Sequence, residues 1–185
     1  YLTVVEAFQR AAGIDLLATA PDAGAPSAGL IRAEADRIGV FTSPSDSWED
    51  VFFRIFLACI EEGLGIDAPT VLYDYPVSMA ALSRVKTDDP RLAERFELYA
   101  SGLEIANAYS ELIDADEQRR RFEVDVARKQ ELFGSAYPID EDFMAALDHG
   151  LPNCAGIALG VDRLIMLATG APTIEDVLWA PVMAT

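Results

Sequence analysis

Residues 94–112 read Glu94-Arg95-Phe96-Glu97-Leu98-Tyr99-Ala100-Ser101-Gly102-Leu103-Glu104-Ile105-Ala106-Asn107-Ala108-Tyr109-Ser110-Glu111-Leu112, and two structures compete for them. Glu97, Glu104 and Glu111 recur at a constant spacing of seven and Asn107 follows Glu104 by three, so a helix would carry all of them on one face. Gly102, the β-branched Ile105 and the aromatic Tyr99 and Tyr109 favour two strands instead, Arg95–Ala100 and Leu103–Ser110, joined at Ser101-Gly102. In strands Asn107, Tyr109 and Glu111 share a face, whereas Glu104 has the wrong parity and needs a bulge to join them. Periodicity alone leaves both readings open. Acids here alternate with apolar positions, and a buried carboxylate is costly unless a cation or metal ion accompanies it. By spacing alone, a solvated acidic face is the more frequent cause of such a pattern.

Downstream, Asp114 has the position of an N-cap for a charged helix from Asp116 to about Phe133, with Glu117 and Arg121 one turn apart. Asp140 caps another, stopped at His149-Gly150, where glycine supplies a left-handed end. Cys154–Leu159 is an apolar strand containing glycine, against which a ligand can lie close to the backbone. Asp162 is placed to cap a helix to Ala168, closed by Gly170, and Thr173 caps a last turn before the apolar Val177–Trp179. Arg163 then falls in a first turn, where the helix dipole disfavours a cation but favours a bound anion that the arginine can contact.

Upstream, Thr70–Tyr75 is a β-rich run ended by Pro76, and everything before Pro69 reads helical. Thr3 and Glu6 have capping-box spacing ahead of Val4, Val5, Phe8, Ala11 and Ala12, and Gly13 ends that helix. A Pro/Gly/Ala/Ser-rich loop at Ala18–Ala28 leads to a short helix at Leu30–Ile38. Asp46 or Ser47 caps a third helix whose stripe of Trp48, Val51, Phe52, Ile55, Phe56 and Cys59 is core-facing and ends near Gly63. The fold class is therefore α+β, a mostly antiparallel sheet flanked by helices, with 1–68 mainly helical and 69–185 carrying the sheet.

Composition narrows the function classes. The 185 residues leave room for one domain with a buried core, and 51% hydrophobic with 24% charged residues is a globular mix. The formal net charge of −17 repels phosphate backbones and counts against nucleic-acid binding. Apolar runs such as Val51–Ile60 are broken by charge and too short to span a bilayer, and no secretory signal is visible. Cys59 and Cys154 do not make a disulfide framework, which fits a cytoplasmic setting. His149 is the one histidine, so zinc sites rich in histidine are excluded and a helix C-terminus accounts for it without chemistry. The chain starts at Tyr1 without methionine in what reads as mid-domain sequence, the expectation for a fragment.

Taken together, Glu94-Arg95-Phe96-Glu97, Glu104-Ile105-x-Asn107, Ser110-Glu111-Leu112, Gly150-Leu151-Pro152 and the glycine-rich strand ending in Gly160-Val161-Asp162-Arg163 resemble the C-terminal half of the catalytic domain of class II lysyl-tRNA synthetases, the last stretch being class II motif 3. The resemblance runs from about Thr70 to Val182. It is greater to the short paralogs without an anticodon-binding domain, which attach (R)-β-lysine to a lysine of translation elongation factor P. Tyr73-Asp74-Tyr75-Pro76-x-Ser78-x-Ala80-Ala81-Leu82 resembles their Tyr-His-Phe-Pro-x-Ser-x-Ala-x-Leu, and Ala158 stands where the tRNA enzymes usually carry glycine.

The resemblance implies a class II synthetase-like partial domain and an ATP-dependent ligase that activates lysine or (R)-β-lysine through an aminoacyl-adenylate. It implies that Glu97 and Glu104 hold Mg2+ with ATP, Asn107 holds substrate and nucleotide, and Arg163 meets the γ-phosphate beside Gly160. Glu111 would face the side-chain ammonium, Tyr109 would wall it, and Gly156, Ala158 and Gly160 would floor the pocket. Arg163 and Glu104 would be the catalytic pair. Such activation needs positioning and charge neutralisation rather than a histidine. Class II motifs 1 and 2 have no counterpart, so the fragment is expected to be inactive alone and the full-length protein a homodimer. Two alternatives remain open at this level: a fragment of a true lysyl-tRNA synthetase, against which the negative charge counts, and an inert synthetase-derived binding module.

Overall fold

Residues 92–110 form a β-hairpin in the computed structural model of the chain, which describes residues 1–22 and 25–180. Its arms are β3 (Leu92–Ala100) and β4 (Leu103–Ser110). The turn decides against a helix. Ser101 and Gly102 both take left-handed φ, 53° and 75°, the two-residue geometry whose twist suits a hairpin. The bulge that Glu104 requires is present. Leu98 pairs with Ala106 but Tyr99 pairs with Glu104, so Ile105 is the extra residue and Glu104 moves to the face of Glu97 and Asn107.

Among the described residues the sheet has five strands in the order β1 (Leu2–Thr3), β2 (Thr70–Pro76), β3, β4 and β5 (Ala155–Leu159). β1 lies parallel to β2, and the remaining neighbours are antiparallel. Against Leu72, Tyr75 and Tyr99 pack α1 (Val4–Ala12), α2 (Ala28–Arg37) and α3 (Trp48–Cys59). Capping boxes start two of them, Thr3 with Glu6 for α1 and Ser47 with Asp50 for α3. Asp46 is not the cap of α3; its carboxylate accepts from Arg54 Nε at 2.8 Å. Phe8, Phe52 and Phe56 form a row, with Phe8–Phe52 centroids 4.7 Å apart, that reaches Tyr99 of the sheet. Trp48 Nε1 donates to the buried Thr19 hydroxyl at 2.9 Å, so the indole nitrogen enters the core satisfied. One core thus spans the helical segment and the sheet.

Three sequence expectations need correction. Cys59, assigned to the apolar stripe, is exposed, and Ile60 takes the buried position because α3 ends at Cys59 and the chain turns there. Asp162 does not cap α6 (Val161–Thr169): β5 runs into that helix through Gly160 alone, which is the N-cap, and Asp162 falls in the first turn. Gly150, after α5 (Glu141–His149), has φ 105° and ψ 116°, a positive φ outside the left-handed helical region. The expected loop includes 23–24 and the resemblance reaches 181–182, positions outside the described residues. Among those described, no helix is long and apolar enough to cross a membrane.

The hairpin turn is anchored. Ser101 and Gly102 donate their backbone N–H groups to the carbonyls of Gly65 and Leu64, at 2.7 and 3.0 Å. Gly65 has φ 72°, and a Cβ there would stand 2.6 Å from the Tyr99 carbonyl oxygen. Gly65→Ala is therefore expected to cost more than about 2 kcal/mol, combining strain and backbone collision. Gly13→Ala, at φ 65° in open space, should cost about 1 kcal/mol, and equal losses in urea denaturation would show that the close approach is immaterial.

A second expectation concerns acid. α4 (Ala115–Phe133) begins at the Asp114 cap, and its Glu117 is held down to about 2, first by the Arg120 guanidinium and then by Arg121. A carboxyl depressed in the folded state stabilises it above the unfolded value, about 4.3, and loses that contribution as pH falls through the folded one. Glu117→Gln should accordingly flatten the fall in stability between about pH 4.3 and 2, measured by denaturation across that window. An unchanged slope would assign the acid sensitivity to other carboxyls.

Candidate active site

Strand parity and the Ile105 bulge gather the chemistry on one face. Glu97 lies opposite Asn107, Arg95 opposite Tyr109, and on the far side Asn107 and Tyr109 lie opposite Ala158 and Gly156 of β5. Gly160 then donates its N–H to the Ile105 carbonyl at 2.9 Å, bringing the start of α6 beside the bulge. Glu104, Glu97, Asn107, Tyr109, Gly156, Ala158, Gly160 and Arg163 are thus neighbours across three strands and a helix start.

Glu97 is the hub of this face. It is 7% exposed, and both carboxylate oxygens are engaged. Arg95 Nη2 and Asn107 Nδ2 donate to Oε1 at 2.6 and 3.2 Å, while the Tyr75 and Tyr99 hydroxyls donate to Oε2 at 2.5 and 2.7 Å. Burial, followed by the Glu97 charge, pushes the Tyr75 phenol far up; burial and the hydrogen bond to Glu97 do the same for Tyr99, so both remain donors. Arg95 also stacks over the Tyr75 ring, 4.4 Å from its centroid. Glu97 thus accepts four side-chain hydrogen bonds, two on each oxygen, whereas Glu104 keeps a more open carboxylate. Among the described residues no group of three or more His, Cys, Asp or Glu is arranged to hold a metal ion.

Glu104 differs. Its side chain is about one-third exposed, and Arg163 Nη1 donates to its backbone carbonyl at 2.8 Å and its Oε2 at 3.3 Å. The two flank a cavity of about 290 Å³ whose lining includes Asn107, Ala158 and Gly160. Beside it lies a larger cavity of about 570 Å³, lined by Met79–Ser83, Arg95, Asn107, Tyr109, Gly156, Ile157 and Ala158. Asn107 and Ala158 belong to both.

Glu111 follows β4, and its N–H donates to the Cys154 carbonyl at 3.0 Å. Its carboxylate crosses over Gly156: a Cβ on that glycine would stand 2.8 Å from Glu111 Oε1. Gly156, part of the lining of the larger cavity, leaves room for the acid that lies over it. Burial first, then the Glu111 charge, raise the Tyr109 phenol above its ordinary value. Sequence reasoning missed Arg95, Tyr75 and Tyr99 as partners of Glu97, and missed the Met79–Ser83 wall. Arg95 and Tyr99 were findable, since residues two before and two after Glu97 on a strand share its face. Tyr75 was not, because its pairing depends on the irregular register of β2 around Asp74.

Compared with known protein families, residues 60–184 match the class II tRNA synthetases (D, K and N). The chain belongs to that family. Among curated proteins it is similar to the elongation factor P–(R)-β-lysine ligase of Pectobacterium carotovorum, 43% identical over 150 residues covering 80% of this chain and 46% of the relative. The ligase of the same name from Avibacterium paragallinarum is 40% identical over 93% of this chain and 51% of its own length. That from Sodalis glossinidius is 41% identical over 96% and 53%. The chain thus spans about half the length of the curated relatives it matches.

In this family member the Glu97 hub predicts a large response to a small change. Glu97→Gln keeps the shape but leaves Arg95, 18% exposed at its side chain, without its counter-charge. Removing one partner of such a pair is expected to cost about 3 kcal/mol or more. A loss under about 0.5 kcal/mol in urea denaturation would show that the hub does not hold the sheet face together.

Proposed function

We propose that the chain is part of a ligase that activates lysine or (R)-β-lysine with ATP and transfers it to a lysine of elongation factor P. The observation that carries this reading is the pair of adjoining cavities sharing Asn107 and Ala158, one with the Glu111 carboxylate over Gly156 of its lining, the other flanked by Glu104 and Arg163. The relatives, named as elongation factor P–(R)-β-lysine ligases, supply the substrate class.

The larger cavity suits the amino acid. Glu111 receives its side-chain ammonium, Tyr109 and the Met79–Ser83 wall enclose the methylenes, and Asn107 and Ala158 lie where the amino acid and nucleotide meet. A neutral side chain would leave Glu111 without a partner, a mismatch that polar sites penalise by about 10⁴-fold. The smaller cavity suits the phosphates of ATP. Arg163 engages its protein neighbours through Nη1, leaving the rest of the guanidinium fork to a phosphate oxygen. Mg2+ is ordinarily held by one or two carboxylates together with phosphate oxygens. Glu104, open and beside Arg163, fits as that carboxylate; the ion, when bound, neutralises phosphate charge. Glu97 contributes from behind by fixing Arg95 and Asn107. Activation then requires a carboxylate oxygen of the amino acid in line with the α-phosphorus, with pyrophosphate leaving, and the residues here serve that step by position and charge.

The test is ATP–pyrophosphate exchange on a chain of the relatives' full length, with α-lysine and (R)-β-lysine compared. Exchange favouring (R)-β-lysine supports the proposal, exchange favouring α-lysine moves the reading to a tRNA synthetase, and none with either moves it to a binding module. Glu111→Gln should lower kcat/KM by about 10²–10³-fold, the range for truncating one partner of a buried charge pair. Ala158→Gly should change the ratio of α- to β-lysine use, and an unaltered ratio would remove Ala158 from the account of specificity.

A further inference from the structure

The wall of the larger cavity, Met79–Ser83, is neither strand nor regular helix beyond the single turn Val77–Met79. Besides the backbone bonds from Ser83 N–H to the Ala80 carbonyl and from Leu112 N–H to the Leu82 carbonyl, it is pinned by side chains. From the sheet, Arg95 Nη1 donates to the Met79 carbonyl at 2.7 Å. From the other side come two residues of α4. Gln118 Nε2 donates to the Ala81 carbonyl at 3.2 Å. Arg121 Nη1 donates to the carbonyls of Ala80 at 2.9 Å and Ser83 at 3.0 Å, and lies 3.4 Å from that of Ala81. Its Nε is held by Glu117 at 2.8 Å.

Both residues are buried in a helix that is otherwise charged and exposed: Gln118 is 1% and Arg121 9% accessible. Arg121 even keeps a buried Nη2 without a partner. An orphaned guanidinium N–H is unfavourable, so fold stability alone is a poor reason for an arginine here. The carbonyls it serves are those of the wall: that of Ala80, which also accepts from the Ser83 N–H at 3.1 Å, and those of Ser83 and Ala81, which Arg121 adds to the wall's own backbone bonds. Ser83 also bridges to Glu111, so the clamped segment runs directly beside the carboxylate assigned to the ammonium.

We infer that Gln118 and Arg121 are positioning residues that set the width of the amino-acid cavity by clamping the Ala80–Ser83 backbone, and thereby govern affinity for the amino acid but not for ATP. This rests on the assignment of that cavity to the lysine substrate. Neither residue lines either cavity of the site, and the smaller cavity includes no residue of the clamped wall.

The experiment is pyrophosphate exchange in the full-length protein with Arg121→Met, Arg121→Lys and Gln118→Met. Arg121→Met should raise the KM for the amino acid about tenfold or more, with the KM for ATP and kcat changed less than about threefold. Arg121→Lys, which keeps a donor for the same carbonyls, should recover part of that loss. Gln118→Met, losing one hydrogen bond, should shift the same constant by about threefold and covers the case in which Arg121→Met does not fold. Hydrogen exchange at the Ser83 and Arg84 amides should quicken in each Met variant while β3 and β4 stay protected. Amino-acid and ATP constants rising together, or an amino-acid KM that stays put while those amides open, would overturn the inference. A wild-type protein inert with both lysines would instead overturn the substrate assignment on which it rests.

Discussion

A carboxylate buried in a sheet must be answered by donors, and most of this site is arranged around the answer given to Glu97. Arg95 comes from its own strand, Asn107 from the neighbouring strand, and Tyr75 and Tyr99 from the side facing the helical core. Each donor is thereby immobilised, and each touches something further. Arg95 holds the Met79 carbonyl and also donates to the Asn107 side chain; Asn107 lies between the two cavities; Tyr99 meets the Phe56 ring of α3. A single charge thus ties the apolar core to the polar face without exposing either.

The second constraint is the Ile105 bulge. Without it Glu104 would point to the opposite face of the sheet, away from Asn107, and the Gly160–Ile105 hydrogen bond that seats α6 would lose its register. The bulge places an open carboxylate and an arginine at one end of the face, while Gly156 makes room for another carboxylate at the other. Two acids of one strand region thereby acquire different surroundings: Glu104 beside a cation, Glu111 over a glycine and near a phenol. Different surroundings are what allow like groups to take different chemical parts.

Membership of the class II synthetase family was legible because its signatures are local strings, and those strings hold most of the polar residues of the site. Helix starts were legible for the same reason: a Thr3–Glu6 box or an Asp114 cap acts within one turn. Errors fell where a local rule met a tertiary one. Asp162 is a good N-cap residue, yet the path from β5 through Gly160 begins the helix one residue before it. Cys59 continues an apolar period that the end of α3 interrupts.

What the sequence determined by itself was the fold class, the helix starts and, for a 94–112 segment folded as strands, the need for a bulge at Glu104, since parity and capping are properties of neighbours along the chain; the choice of hairpin over helix came from the Ser101-Gly102 turn. The tertiary structure alone decided which carboxylate is closed and which is open. Glu97 and Glu104 are the same residue type in one hairpin, and no local pattern separates them. Their difference comes from Tyr75, reached through a separate strand, and from Arg163, reached through a helix some sixty residues away (59 positions from Glu104). Hydrogen-bond donors brought from such distances along the chain are supplied by packing, which no window of sequence contains.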